Sequence, residues 1–211
     1  MTLTQAIGNG AGAIIRLIVR GLALSRIHPN VVTFLGLVIS SYADYLLAQG
    51  RFQFAGWVII GGGLFDMVDG RVARETNRVT RFGAFFDSVL DRYSDLAVFF
   101  GLLLWYGGIN RPGYVVLTSI AMSACVMISY ARARSENLIP SCKVGFLERP
   151  ERVVLVIIGA LFDRMAPVLW VTAVLGTITV IHRMIFTWQE ARQLEEAQLR
   201  PAGRATTNAP R

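Results

Sequence analysis

Apolar residues gather into six runs along the chain: about Val31–Gln49, Phe54–Arg74, Phe82–Tyr106, Tyr114–Arg134, Arg152–Phe162 with its flanks, and Pro167–Trp188. Each is near the roughly 20 residues that a spanning helix needs. The fifth is the shortest, bounded by Glu151, Asp163 and Arg164. The pattern predicts an all-α integral membrane protein with six transmembrane helices. Ahead of the first run, Thr2–Ser25 mixes Ile14, Ile15, Leu17, Ile18 and Leu22 with Arg16 and Arg20. That stretch is too interrupted to span and reads as an amphipathic helix lying in the interface, its arginines meeting anionic lipid or simply snorkelling. Pro29 then turns the chain, and Asn30 is placed to cap the first span. From Glu190 the sequence is polar and reads as a frayed helix followed by disorder. The expected organisation is therefore an interfacial segment over 1–30, a six-span domain over 31–189 and a tail over 190–211.

Composition agrees with this picture, being 54% hydrophobic and only 17% charged over 211 residues. No cleavable signal pattern is expected at the start. The net charge of +7 would suggest nucleic acid in a soluble protein, but these basic residues flank apolar runs. Anionic lipid head groups are the expected partners, and no nucleic acid. With the N-terminus inside, all of the 21 basic residues except Arg51, Arg111 and Arg164 fall on the cytoplasmic side or in cytoplasmic halves of spans. The positive-inside bias predicts a multi-pass protein of the cytoplasmic membrane with both termini in the cytoplasm. Cys125 and Cys142 lack metal-ligand spacing and are expected as free thiols.

The acidic residues are distributed unevenly. Every Glu lies in a loop, a span end or the tail, whereas every Asp except Asp163 lies within a span. Four crowd one stretch: Asp66 and Asp69 three apart, Asp87 and Asp91 four apart. Those spacings put each pair on one helix face. Gly70, Ala73 and Gly83 leave room beside them for a second backbone or a ligand. An intramembrane carboxylate costs several kcal/mol by rough estimates and marks function. Four together would repel unless cations lie between them. Short, hard oxygen ligands on two helices suit Mg²⁺ or Mn²⁺, with room for a pair of ions. Asp44, outside this group, is expected to make a structural hydrogen bond. Asp95 extends the ladder from Asp91 and is expected to orient a ligand or pair with Arg92.

A second constellation is basic. Ser129, Arg132 and Arg134 close the fourth span, Lys143, Arg149 and Arg152 follow, and Arg183 interrupts the last apolar run. The guanidinium fork suits phosphate oxygens, which points to a pocket for an anionic acceptor. Topology alone explains Arg134 and Lys143 but not Arg183. No Ser-His-Asp arrangement competes, since His28 and His182 are far apart and neither adjoins an obvious nucleophile.

The eight residues Asp66, Asp69, Gly70, Ala73, Arg74, Gly83, Asp87 and Asp91 form D-x2-D-G-x2-A-R-x8-G-x3-D-x3-D over 26 positions. In this the chain resembles the CDP-alcohol phosphotransferases, whose motif it matches at every fixed position. The resemblance implies transfer of a phosphatidyl group from CDP-diacylglycerol to an alcohol with release of CMP, and a homodimer. It implies Asp66, Asp69 and Asp87 as metal ligands, with Asp91 as base and also a candidate ligand. Arg74 would hold a phosphate, and Gly70 and Ala73 would admit the cytidine. The Pro-Asn-x-x-Thr sequence at Pro29–Thr33 is also similar to the family's, so Asn30 is a candidate contact to the CDP-lipid as well as a cap. Ser-Tyr-Ala-Arg-Ala-Arg and Glu-Arg-Pro-Glu-Arg resemble the branch that makes phosphatidylinositol phosphate. There Ser129, Arg132, one or both of Arg149 and Arg152, and Arg183 correspond to the acceptor-phosphate site, with Arg132 replacing the lysine common in that branch. Inositol phosphate is thus the expected acceptor and glycerol 3-phosphate the alternative. The rival from another class is a cation transporter, but its carboxylates should line a crossing path rather than crowd one end beside Arg74.

Overall fold

The structure is a computed structural model describing residues 29–75 and 80–199, apart from the side chains of 29, 30, 32, 33, 64–75, 198 and 199. The expected interfacial helix at the N-terminus and the last residues of the tail lie outside the described residues. Six helices follow one another: α1 (Pro29–Ala48), α2 (Phe52–Glu75), α3 (Arg81–Gly108), α4 (Pro112–Ser135), α5 (Arg149–Leu161) and α6 (Met165–Leu199). Among the described residues there is no strand. Among the described residues two helices are long and apolar enough to cross a bilayer, α4 over Pro112–Ser135 and α6 over Met165–Ala197.

Helix ends follow local chemistry. Thr80 caps α3, its hydroxyl accepting from the Gly83 N–H at 2.9 Å. Pro112 and Pro150 stand in the first turns of α4 and α5, where a missing N–H costs nothing. α1 already includes Pro29, so Asn30 stands in its first turn rather than ahead of it. α5 starts at Arg149, one turn before the expected start, because Pro150 sets the helix there.

Three stops share one design. Gly50, Asn110 and Asp163 have φ of 73°, 55° and 53°. Their N–H groups bond the carbonyls of Leu47, Gly107 and Ala160 at 2.9, 3.1 and 3.3 Å. The next residues, Arg51, Arg111 and Arg164, reach back to Leu46, Tyr106 and Gly159 at 2.9, 2.9 and 2.7 Å. This is the paired bonding that ends a helix through one left-handed residue. The three turns lie at one end of the bundle: Phe52 meets Trp105 edge-on at 5.6 Å, and Arg51 and Asp163 share a cleft.

Each helix packs against two others, and the pairings close a ring in the order α1, α2, α5, α6, α4, α3. Beside the tight turns the ring is filled with apolar side chains, including Leu47, Leu102, Ala121, Ala160 and Leu169. At the other end, polar side chains replace this packing. Closure of α1 on α3 is tight, because a Cβ on Gly101 would run into the Asp44 carbonyl. Among the described residues Asp44 does not find the expected hydrogen bond: both its carboxylate oxygens are buried with no partner there. Cys125 and Cys142 are free and buried.

Candidate active site

The C-terminal end of α2 and the start of α3 are joined by only five residues, 76–80, so the motif's two halves lie at the same end of the bundle. Asp66, Asp69, Gly70, Ala73 and Arg74 are on the last turns of α2; what their side chains touch lies outside the described residues. Asp87 and Asp91 are one turn apart on α3, both partly buried. The donor set of these aspartates is wholly hard oxygen, which fits Mg²⁺ or Mn²⁺ rather than a softer metal.

Beside Asp91 opens a cavity of about 430 Å³. Ser129 and Arg132 from α4, Arg149 and Arg152 from α5, and Arg183 from α6 line it together with Asp91. Residues spread over 55 positions of sequence are thus brought to one wall system. Arg149 links the two constellations, with Nη2 at 2.9 Å from Asp91 Oδ1. Arg134 is exposed and Lys143 lies in an exposed loop position, and neither lines the cavity.

The two most buried arginines among the described residues also hold the fold. Arg183 is 1% exposed and donates from Nε to the Val144 carbonyl at 2.8 Å and from Nη1 to the Ile128 carbonyl at 2.6 Å. Arg152 donates from Nη1 to the Leu147 carbonyl at 3.1 Å and from Nη2 to Asp95 Oδ2 at 2.7 Å. Together with the Thr179 hydroxyl, which accepts from Phe146 N–H at 3.2 Å, they fasten the loop between α4 and α5. The last run therefore carries an arginine for a structural reason as well as a place at the cavity.

Asp95 does not pair with Arg92. Its carboxylate crosses the interior of the ring to Arg152, with Arg149 Nε a further 3.7 Å contact. Arg152 is almost closed to water and needs a counter-charge. Arg92 instead turns back to the Ser88 carbonyl at 2.6 Å and lies 3.9 Å from Asp91. Glu148, which reaches Arg132 Nη1 at 3.1 Å, is a cavity residue that reasoning from the sequence missed. Its only local clue is a place in the Glu-Arg-Pro-Glu-Arg stretch.

An all-helical ring, among the described residues, with Asp91 of the aspartate motif on the wall of an arginine-lined cavity fits a phosphotransferase of the membrane. Residues 26–189 match the family model of CDP-alcohol phosphatidyltransferase, and the chain belongs to that family. It is an enzyme, and the transporter reading falls away. The phosphatidylinositol phosphate synthase of Mycobacterium tuberculosis (strain ATCC 25618 / H37Rv) is 40% identical over 186 residues, covering 81% of this chain and 84% of that one. The archaetidylinositol phosphate synthase of Pyrococcus horikoshii is 35% identical over 164 residues, covering 77% and 85%. The fold is similar to the crystal structure of the M. tuberculosis synthase with CDP-DAG bound, with TM-score 0.78, 36% identity and 83% and 94% of the chains covered. The structure of the same synthase with manganese and citrate aligns with TM-score 0.76 and 37% identity, covering 82% and 88%.

Proposed function

We propose that this enzyme transfers the phosphatidyl group of CDP-diacylglycerol to a hydroxyl of inositol phosphate and releases CMP. The observation that carries the acceptor assignment is the convergence of Ser129, Arg132, Arg149, Arg152 and Arg183 on one cavity beside Asp91. Burying a phosphate dianion requires charge-assisted hydrogen bonds, which a neutral acceptor such as free inositol would not demand. Names and bound ligands of the relatives support the same reading: phosphatidylinositol phosphate synthase, crystallised with CDP-DAG.

In this reading Arg74 holds a phosphate of the CDP-lipid, while Gly70, Ala73 and Asn30 border its nucleotide. Asp66, Asp69, Asp87 and Asp91 would hold divalent cations, Mg²⁺ or Mn²⁺ and two in number. Such ions, when bound, neutralise the pyrophosphate and ease departure of CMP. Arginines of the cavity fix the acceptor's phosphate, so that its hydroxyl lies toward α3. Asp91 takes the proton of that hydroxyl as it attacks in line. Asp95 keeps Arg152 in place. The six helices cross the cytoplasmic membrane, with both termini and the site facing the cytoplasm, and the enzyme works as a homodimer.

A screen of purified protein with labelled CDP-diacylglycerol and inositol phosphate, glycerol 3-phosphate, free inositol or serine tests the assignment. Turnover is expected with inositol phosphate above all. Preference for either unphosphorylated acceptor would overturn the phosphate pocket, and preference for glycerol 3-phosphate would overturn the inositol assignment alone.

A further inference from the structure

Glu148 stands directly before α5, where a carboxylate could cap the helix, yet its side chain makes no capping bond. Its Oε1 instead accepts from Arg132 Nη1 at 3.1 Å and lies 3.6 Å from Arg183 Nη2. The neighbouring pair of Arg152 and Asp95 is short, 2.7 Å, with side chains only 5% and 15% exposed. Arg132 and Glu148 are 36% and 43% exposed. A closed pair of the first kind is costly to break, whereas an exposed pair is weakly held and exchangeable.

Charge in the cavity gives the exchange a direction. Arg92, Arg132, Arg149, Arg152 and Arg183 line it against Asp91, Glu136 and Glu148, and with Asp95 behind Arg152 and Arg149 a formal surplus of one positive charge remains. An entering anion finds Arg132 and Arg183 facing the Glu148 carboxylate. A phosphomonoester dianion brings twice that carboxylate's charge and more acceptor oxygens to the same forks. A monoanion offers no more charge than the group it would replace.

We propose that Glu148 is a specificity-determining residue, an internal counter-anion that the acceptor's phosphate displaces from Arg132 and a singly charged competitor does not. This rests on the reading that the cavity takes a phosphorylated acceptor. Displacement has a sign that a positioning role lacks: removing the carboxylate's charge tightens phosphate binding instead of weakening it.

The test is a steady-state assay of the full chain in detergent with saturating CDP-diacylglycerol. It compares Glu148→Gln with Glu151→Gln, which removes the same charge from an exposed position on α5 outside the cavity. For Glu148→Gln, the KM of inositol phosphate and the Ki of inorganic phosphate are expected to fall about twofold to fivefold, the size of an exposed ion pair. Methanesulfonate, a monoanion, should begin to compete in that variant. Glu151→Gln should move none of these. Unchanged or higher KM and Ki in Glu148→Gln would overturn the proposal and leave Glu148 as a residue that merely positions arginines. Where Glu148→Gln fails to assemble, Glu148→Ala, which also removes the charge, carries the same expectation and the same failure. If the chain does not use inositol phosphate, the acceptor assignment falls, and the Ki of inorganic phosphate against the acceptor it does use still decides the role of Glu148.

Discussion

Arg152 and Asp95 sit 57 positions apart and meet at 2.7 Å inside the ring. Arg152→Ala should therefore do two things: raise the acceptor's KM and destabilise the protein. Breaking a buried pair from one side typically costs about 3–5 kcal/mol, because the remaining charge is stranded. Thermal unfolding in detergent checks this, and the double variant with Asp95→Asn should lose less than the two single losses together. CDP-lipid binding should hardly change. The motif aspartates behave differently. Asp66→Asn, Asp69→Asn or Asp87→Asn should each lower turnover at least about a hundredfold with assembly intact, as expected of metal ligands. Asp91→Asn should lower kcat far more than CDP-lipid affinity, since a base acts mainly in the transition state. Collapse of that affinity along with the rate would leave Asp91 a metal ligand and remove it as the base.

Helices α1 to α4 begin and end within a few residues of the apolar runs, because hydrophobic length and proline positions are written locally. α5 and α6 departed from the pattern where charge was involved. Glu151 read as the boundary of the fifth run, yet Arg149, Glu151 and Arg152 all lie in α5, with Arg149 and Arg152 paired with Asp91 and Asp95 from α3. α6 runs on to Leu199, with Arg192 and Glu196 in contact at 2.8 Å along its polar end. The cavity's cast was legible as a list of arginines, but their division of labour was not. No local signal says that Asp95 serves Arg152, or that Glu148 faces Arg132. The loop between α4 and α5 supplies a test at this scale. Gly145 has φ of 117°, and a Cβ there would strike Thr179 on α6. Gly145→Ala should unseat the loop from Thr179 and Arg183, raising the acceptor's KM several-fold while CDP-lipid binding persists. Equal effects on both substrates would mean that the loop supports the whole site.

At the scale of the molecule, one end of the ring is packed and tightly turned, and the other holds the chemistry. If the site faces the cytoplasm as proposed, Ser141→Cys in the exposed α4–α5 loop should react with an impermeant thiol reagent only in inverted vesicles. Arg111→Cys, in the exposed turn before α4, should react only in right-side-out ones. The reverse pattern would invert the topology. Chelation should stop turnover, and added Mg²⁺ or Mn²⁺ should restore it. The turn at Asn110 and Arg111 carries a further consequence. It lies at the packed end, away from the cavity, and it divides the chain into α1–α3 with the aspartate motif and α4–α6 with most of the cavity's arginines. Because the ring closes through contacts between these halves, the covalent link there is dispensable to its shape. Two separately translated pieces, 1–110 and 111–211, should find each other in the membrane and restore turnover that neither has alone. A donor half and an acceptor half of this kind could be exchanged between relatives like interchangeable parts, the second half bringing its choice of alcohol with it.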